Sequence, residues 1–228
     1  MTDTLRRHDL LRVNAEVWSR MLRSYPEFSG VLDAAAAQTC QWPMIVRRRT
    51  KEDLADRIPA GFPLPPKSGK LRLTAQLAAE EITDRVQPVT LRSAREKAPC
   101  SWTRTIDALL EMAQRIHVEP LVFGSFLWEH VTGLSYCNET SDLDLLWRVS
   151  DPATATRLVN DLAVIDEKSP VRIDGEIILP DGGGVQWSEL RQGASKVLVK
   201  TSRDVQLWPT PSLFQPIEWA VLESVPLL

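Results

Sequence analysis

One segment limits the fold more than any other: residues 120–149, PLVFGSFLWEHVTGLSYCNETSDLDLLWRV. A short apolar run, Pro120–Phe123, stops at Gly124-Ser125. Phe126–Val131 then reads as the start of a helix, and 132–140 is a loop punctuated by Gly133 and Asn138. Asp142–Val149 follows with the alternation of a half-buried strand. Strand, glycine turn, helix and strand in this order point to a sheet with a helix packed on it.

The flanks extend the same pattern. Ser101 is placed to cap a helix over Trp102–His117, in which Ile106, Leu109, Leu110 and Ala113 form one apolar stripe. Ala153–Val164 is helical in texture, and Val171–Leu179 alternates as a strand. The turn Asp181-Gly182-Gly183-Gly184 supplies positive φ angles, Val185–Trp187 opens the next segment, and Lys196–Lys200 is a late strand. The order βαβαββ predicts an α/β (α+β) fold with a mixed sheet.

The first part of the chain reads less clearly. Helices are expected over Ala15–Arg23 and Gly30–Gln38, and short strands over Pro43–Arg48 and Lys70–Leu77. Between them, Ile58–Gly69 contains GFPLPP. Its prolines predict an ordered loop or polyproline stretch. Ala78–Pro99 is polar and has no clear period, so the expected division falls there: a smaller N-terminal domain over residues 1–92 and the mixed-sheet domain over 93–228.

Composition removes several classes. Of 228 residues, 43% are hydrophobic, too many for a disordered chain. The net charge of −3 argues against a duplex-DNA binder, which needs a basic face, but leaves room for a local polyanion site. Cys40, Cys100 and Cys137 have neither zinc spacing nor an even count for a disulfide framework. The opening MTDTLRRHDLLRV lacks the apolar run of a signal peptide, and no 18-residue apolar stretch occurs. A cytoplasmic protein with no membrane and no nucleic-acid partner is expected.

The chemistry sits in the central segment. Asp142 and Asp144 alternate on a strand, so both carboxylates leave one face while Leu143 and Leu145 enter the core. Unpaired like charges at that spacing repel unless solvated or bound to a cation. Mg2+ prefers such oxygen ligands and takes phosphate oxygens for the rest of its shell. Gly124 and Ser125 lie where a strand turns into a helix, and N–H groups at such a start bind phosphate. A lone Asp-x-Asp is usually surface decoration and a lone Gly-Ser is weaker still. Together, 17 residues apart from Ser125 to Asp142, they form a far more specific pattern.

Gly-Ser followed by a strand with Asp-x-Asp resembles the polymerase-beta-like nucleotidyltransferases. The fuller stretch GSFLWEHVTGLSYCNETSDLDLLW resembles, more narrowly, the phosphoribosyl-dephospho-CoA transferases of malonate decarboxylase, also called holo-acyl-carrier-protein synthases. RRHDLLRV at 6–13, IVRR at 45–48, GFPLPPKSGKLRL at 61–73 and DGEIILPDGGGVQWSEL at 174–190 extend the likeness over most of the chain. The resemblance implies a nucleotidyltransferase core. It implies transfer of the phosphoribosyl-dephospho-CoA group from 2′-(5″-triphosphoribosyl)-3′-dephospho-CoA to a serine of the acyl carrier protein subunit, with pyrophosphate leaving. Asp142 and Asp144 would then hold Mg2+, and Gly124 and Ser125 would anchor the distal phosphates. A third carboxylate from a following strand is implied as well. Asp174 and Glu176 share a strand face and both qualify; Asp174 is favoured, leaving Glu176 to fix a basic side chain or substrate group. Either is also readable as a solvated edge carboxylate.

The remaining positive charge has two concentrations. Arg47, Arg48, Arg49 and Lys51 are placed to receive phosphate or an acidic carrier surface, or else to solvate an edge strand. Lys67, Lys70 and Arg72 follow the proline-rich loop, and Gly69 beside Lys70 permits close approach of a pyrophosphate, without the spacing of a Walker loop. His8 reads equally as a substrate contact or a structural group. His117, His130, Tyr136 and Cys137 read best as structural. The rival functions are a nucleotidyltransferase that adenylylates a drug or protein, an inactive carrier-protein-binding module, and an RNA-binding domain.

Overall fold

The computed structural model describes residues 5–26, 41–69 and 71–215. The expected helix Gly30–Gln38, Cys40 and Lys70 lie outside the described residues.

The first sheet is built from β1 (Leu10–Val13), β2 (Met44–Val46), β3 (Ile58–Pro63), β4 (Arg72–Leu77) and β5 (Ile82–Val86), in the order β4-β3-β2-β1-β5, with antiparallel neighbours. Helix α1 (Ala15–Arg23) covers it. Asn14 starts this helix by accepting a hydrogen bond from the Val17 N–H at 3.1 Å. Val17, Trp18, Met21 and Leu22 then form one buried stripe. They pack with Met44, Phe62, Leu73 and Leu77 as one core.

The loop expected over Ile58–Gly69 is corrected: its first half is a central strand. Pro59 and Pro63 are tolerated because they flank Ala60 and Gly61, the only residues that β2 pairs with. Residues 64–69 keep the expected irregular character, with a short 3-10 turn over Pro66–Ser68.

The second sheet is mixed, as expected. It contains β6 (Pro120–Val122), β7 (Leu143–Arg148), β8 (Ile173–Ile178), β9 (Gly184–Gln186), β10 (Lys196–Lys200) and β11 (Val205–Pro209), in the order β11-β10-β9-β8-β7-β6. β7 and β8 are parallel and the other pairs antiparallel. The helices in this half are α2 (Leu91–Ala94), α3 (Thr103–Ile116), α4 (Gly124–Thr132), α5 (Pro152–Asp166) and α6 (Trp187–Arg191). Asp151 caps α5 by accepting from the Thr154 N–H at 2.9 Å, and α5 is the crossover that the parallel pair requires. Leu143, Leu145 and Trp147 of β7 pack with Ile106 and Leu109 of α3 and Leu158 and Leu162 of α5. One face of the sheet is thereby closed, and the alternate residues of β7 and β8 take the other face.

The cap expected from Ser101 is also corrected. Pro99 nucleates a 3-10 turn over Cys100–Trp102 that runs into α3, so Trp102 holds the cap position and no side chain caps the helix. Among the described residues no helix is long and apolar enough to cross a membrane.

Candidate active site

The site is set by register. In the parallel pair, Asp144 of β7 lies beside Asp174 of β8. Asp142 stands just before β7, on the same face as Asp144 by alternation. The start of α4 closes over Asp144. The Phe123 N–H donates to the Asp144 carbonyl at 3.1 Å, and the chain turns into the helix through Gly124 at φ +63°. A Cβ at residue 124 would lie 1.8 Å from Asp144 Oδ2. Only glycine permits this approach, and it brings the free N–H groups of the first turn, Ser125 included, beside the acids.

The electrostatics are strained in one direction. Burial pushes the Asp144 carboxyl up to about 7, with the charges of Asp174 and Asp142 adding to the shift. Arg172, which the sequence reading missed, opposes this. Its guanidinium forks onto Asp142, with Nε 3.0 Å from Oδ1, and reaches Asp174 Oδ2 at 3.4 Å. The signal was the alternation of Arg172, Asp174 and Glu176 on one strand face. Asp174 Oδ1 accepts from the Gln186 side-chain amide and from the Gly175 N–H at 2.7 Å, while Oδ2 faces Arg172.

Glu176 has a different environment. It is buried and ion-paired with Arg7, and accepts from Lys200 Nζ at 2.9 Å, with His8 Nε2 at 3.6 Å. Burial alone would raise its pKa. The close approach of His8, the hydrogen bonds and charge of Arg7 and the hydrogen bond from Lys200 win and hold it well below the usual carboxylate range. Gly184 clears the space, since a Cβ there would lie 2.4 Å from Glu176 Oε2 and 2.5 Å from Arg7 Nη2. Burial lowers the His8 pKa, so this imidazole is neutral near pH 7. Its ring stands edge-on to Phe123, 5.2 Å between centroids, and its backbone has φ +75°.

The other expected positive groups lie elsewhere. Arg47 forks onto Asp53, at 2.7 and 2.5 Å, and this pairing holds the Asp53 carboxyl down at about 2. Arg49 donates to the carbonyls of Leu54 and Arg57. Arg48 is exposed, and its charge acts on Asp204 in the β10–β11 turn. Tyr136 is buried, with its hydroxyl donating to the Pro63 carbonyl at 2.8 Å. Burial raises the Cys137 thiol to about 12, which makes it a poor nucleophile.

Asp142, Asp144 and Asp174 present only oxygen donors, and among the described residues Asp144 takes part in no ion pair, which suits a hard divalent cation. Among the described residues, no three acidic, His or Cys side chains already converge as a cation cage. Arg172 draws Asp142 aside, so the side chains would have to turn inward around an ion.

Two family models divide the chain between them. Residues 6–88 match the phosphoribosyl-dephospho-CoA transferase MdcG N-terminal domain, and residues 90–211 match the C-terminal domain of the same family. The chain belongs to the phosphoribosyl-dephospho-CoA transferase family. A family member from Bradyrhizobium diazoefficiens is 36% identical over 201 residues, covering 88% of each chain. Another, from Xanthomonas euvesicatoria pv. vesicatoria, is 36% identical over 206 residues, covering 88% of this chain and 95% of its own. Both are named phosphoribosyl-dephospho-CoA transferase. No solved structure gives a significant match.

Proposed function

We propose that this chain transfers the phosphoribosyl-dephospho-CoA group from triphosphoribosyl-dephospho-CoA to a serine hydroxyl of the malonate decarboxylase acyl carrier protein, in the cytoplasm. The serine oxygen forms a bond to the α-phosphorus, the bond from that phosphorus to the bridging oxygen breaks, and pyrophosphate leaves. The observation that carries this reading is the half-buried Asp144, in register with Asp174 and closed over by Gly124.

Each group has a role in this nucleotidyl transfer. The N–H groups at Gly124 and Ser125 hold distal phosphate oxygens. Asp142 and Asp144 hold Mg2+, which, when bound, offsets the charge that builds on the attacking and leaving oxygens. Asp174 is placed to take the serine proton through Oδ2, the oxygen not engaged by Gln186. Glu176 positions Arg7 and Lys200 and does not bind metal. Arg172 bridges Asp142 and Asp174 and would have to release Asp142 for an ion to be held there.

The test is mass spectrometry of the apo carrier protein, incubated with this enzyme, Mg2+ and triphosphoribosyl-dephospho-CoA. The expected result is a mass gain on one serine, equal to the phosphoribosyl-dephospho-CoA group. No gain with verified reagents would reject the carrier-protein reading, and label transfer from ATP instead would favour an adenylylating enzyme.

A further inference from the structure

We infer that the cavity between residues 6–10 and the far end of β7 holds the diphosphate of the dephospho-CoA half of the substrate. The inference rests on the transferase reading above. The cavity is a recess lined by charged and apolar side chains. Arg6 and Arg7 line it from the N-terminal segment and Arg148 from the end of β7. Among the described residues, neither Arg6 nor Arg148 has a carboxylate partner for its guanidinium. Asp9, the one acid in the lining, is already matched by Arg85 at 2.9 Å and by the Arg6 N–H at 2.7 Å. The cavity is therefore a positive spot in an acidic protein.

Position gives the ligand. Asp144, Leu146 and Arg148 alternate along the same face of β7, so the Arg148 Cα lies about 13 Å from that of Asp144. In the substrate, two ribose rings separate the triphosphate from the dephospho-CoA diphosphate, a span of the same order. With the triphosphate at Asp144, the diphosphate falls at Arg148 and Arg6. Leu121, Leu146 and Ile178 form an apolar floor there, which suits the aliphatic arm beyond the diphosphate.

The test uses dephospho-CoA itself, which has no triphosphate and needs no turnover. Binding to the full chain without metal is measured by titration calorimetry. Arg148 is exposed, so Arg148→Gln leaves the core intact, and Arg6→Gln provides an independent second variant. Each is expected to weaken dephospho-CoA binding at least tenfold, and Arg148→Lys to recover part of the loss. Asp144→Asn is expected to bind dephospho-CoA as the wild type does. Inorganic pyrophosphate is expected to compete, but more weakly than dephospho-CoA, and pantetheine to bind far more weakly still. Unchanged binding in both glutamine variants, or no binding to the wild type, would overturn the assignment. Equal affinity for pyrophosphate would reduce it to a general anion site and overturn it as well. A wild type that binds dephospho-CoA at Arg148 yet never modifies the carrier protein keeps this site and rejects only the carrier-protein reading.

Discussion

Asp144 concentrates the conflict on which the site turns. Its carboxyl is raised from 3.8 to about 7 by burial and by the neighbouring acids. Because the folded pKa lies above the unfolded one, the folded state binds more protons between those values. Stability is thus lost as pH rises from 4 to 7 and stays reduced above that. Asp144→Asn is expected to stabilise the metal-free protein by about 2 kcal/mol at pH 8, well under the limit set by about 1.4 kcal/mol per pKa unit. The gain should vanish by pH 4, and urea denaturation in EDTA at the two pH values measures it. The same variant should lose transfer by at least about a thousandfold, on the scale of lost transition-state charge stabilisation. Gly124→Ala is a steric test of the same spot. The added methyl meets Asp144 Oδ2 at 1.8 Å and occupies a positive φ, so a loss of about 1–3 kcal/mol in thermal stability should accompany loss of activity. A variant as stable and active as the wild type would contradict the close approach.

At the scale of elements, legibility followed local signals. α1 and β10 match their expected bounds, and each rests on local structure: the Asn14 cap in one, the alternation of buried Val197 and Val199 with their neighbours in the other. β1, β5 and β11 were not read. Each is five residues or fewer; β1 and β5 meet from a distance, Leu10 pairing with Val86, while β11 forms a hairpin with β10 but is mostly exposed and shows no alternation of burial. Pro59 and Pro63 hid β3 because a proline rule sees nitrogens and not which neighbour a strand pairs with. The acids and Gly124 were legible for a similar reason: their spacing lies within one βαβ stretch. Arg7 and Lys200 were not, because Glu176 meets them across 169 and 24 residues of chain. That cluster ties the N-terminal segment to β8 and β10. Glu176→Gln leaves the half-buried Arg7 and the more exposed Lys200 without their shared carboxylate and is expected to cost about 2 kcal/mol. The sign with pH is the reverse of that for Asp144. The Glu176 pKa is lowered from 4.5, so its contribution is complete above pH 4.5 and fades as pH falls below it. The wild-type advantage over Glu176→Gln in denaturant midpoint should therefore shrink in acid; an advantage that grows there would refute the ion-pair account.

For the whole molecule, two sheets do not make two independent folding units. Trp128 of α4 and Tyr136 after it, both from the half that carries the acids, are buried in the core of the first sheet. Trp128 meets Phe62 of β3 edge-on, 5.0 Å between centroids. In return, Leu10 of β1 is buried in the core beneath β7 and α3. The helix whose first residue seals Asp144 thus ends in the other sheet's core, and the position of Gly124 depends on both. Trp128→Ala removes the largest side chain at this crossing and is expected to destabilise the chain by about 3–5 kcal/mol. If the cores are interlocked, the loss appears as one earlier transition, with far-UV circular dichroism and tryptophan fluorescence coinciding along a urea titration. Two separated transitions, with only the first displaced, would mean that the sheets unfold independently and that α4 is positioned by its own sheet alone.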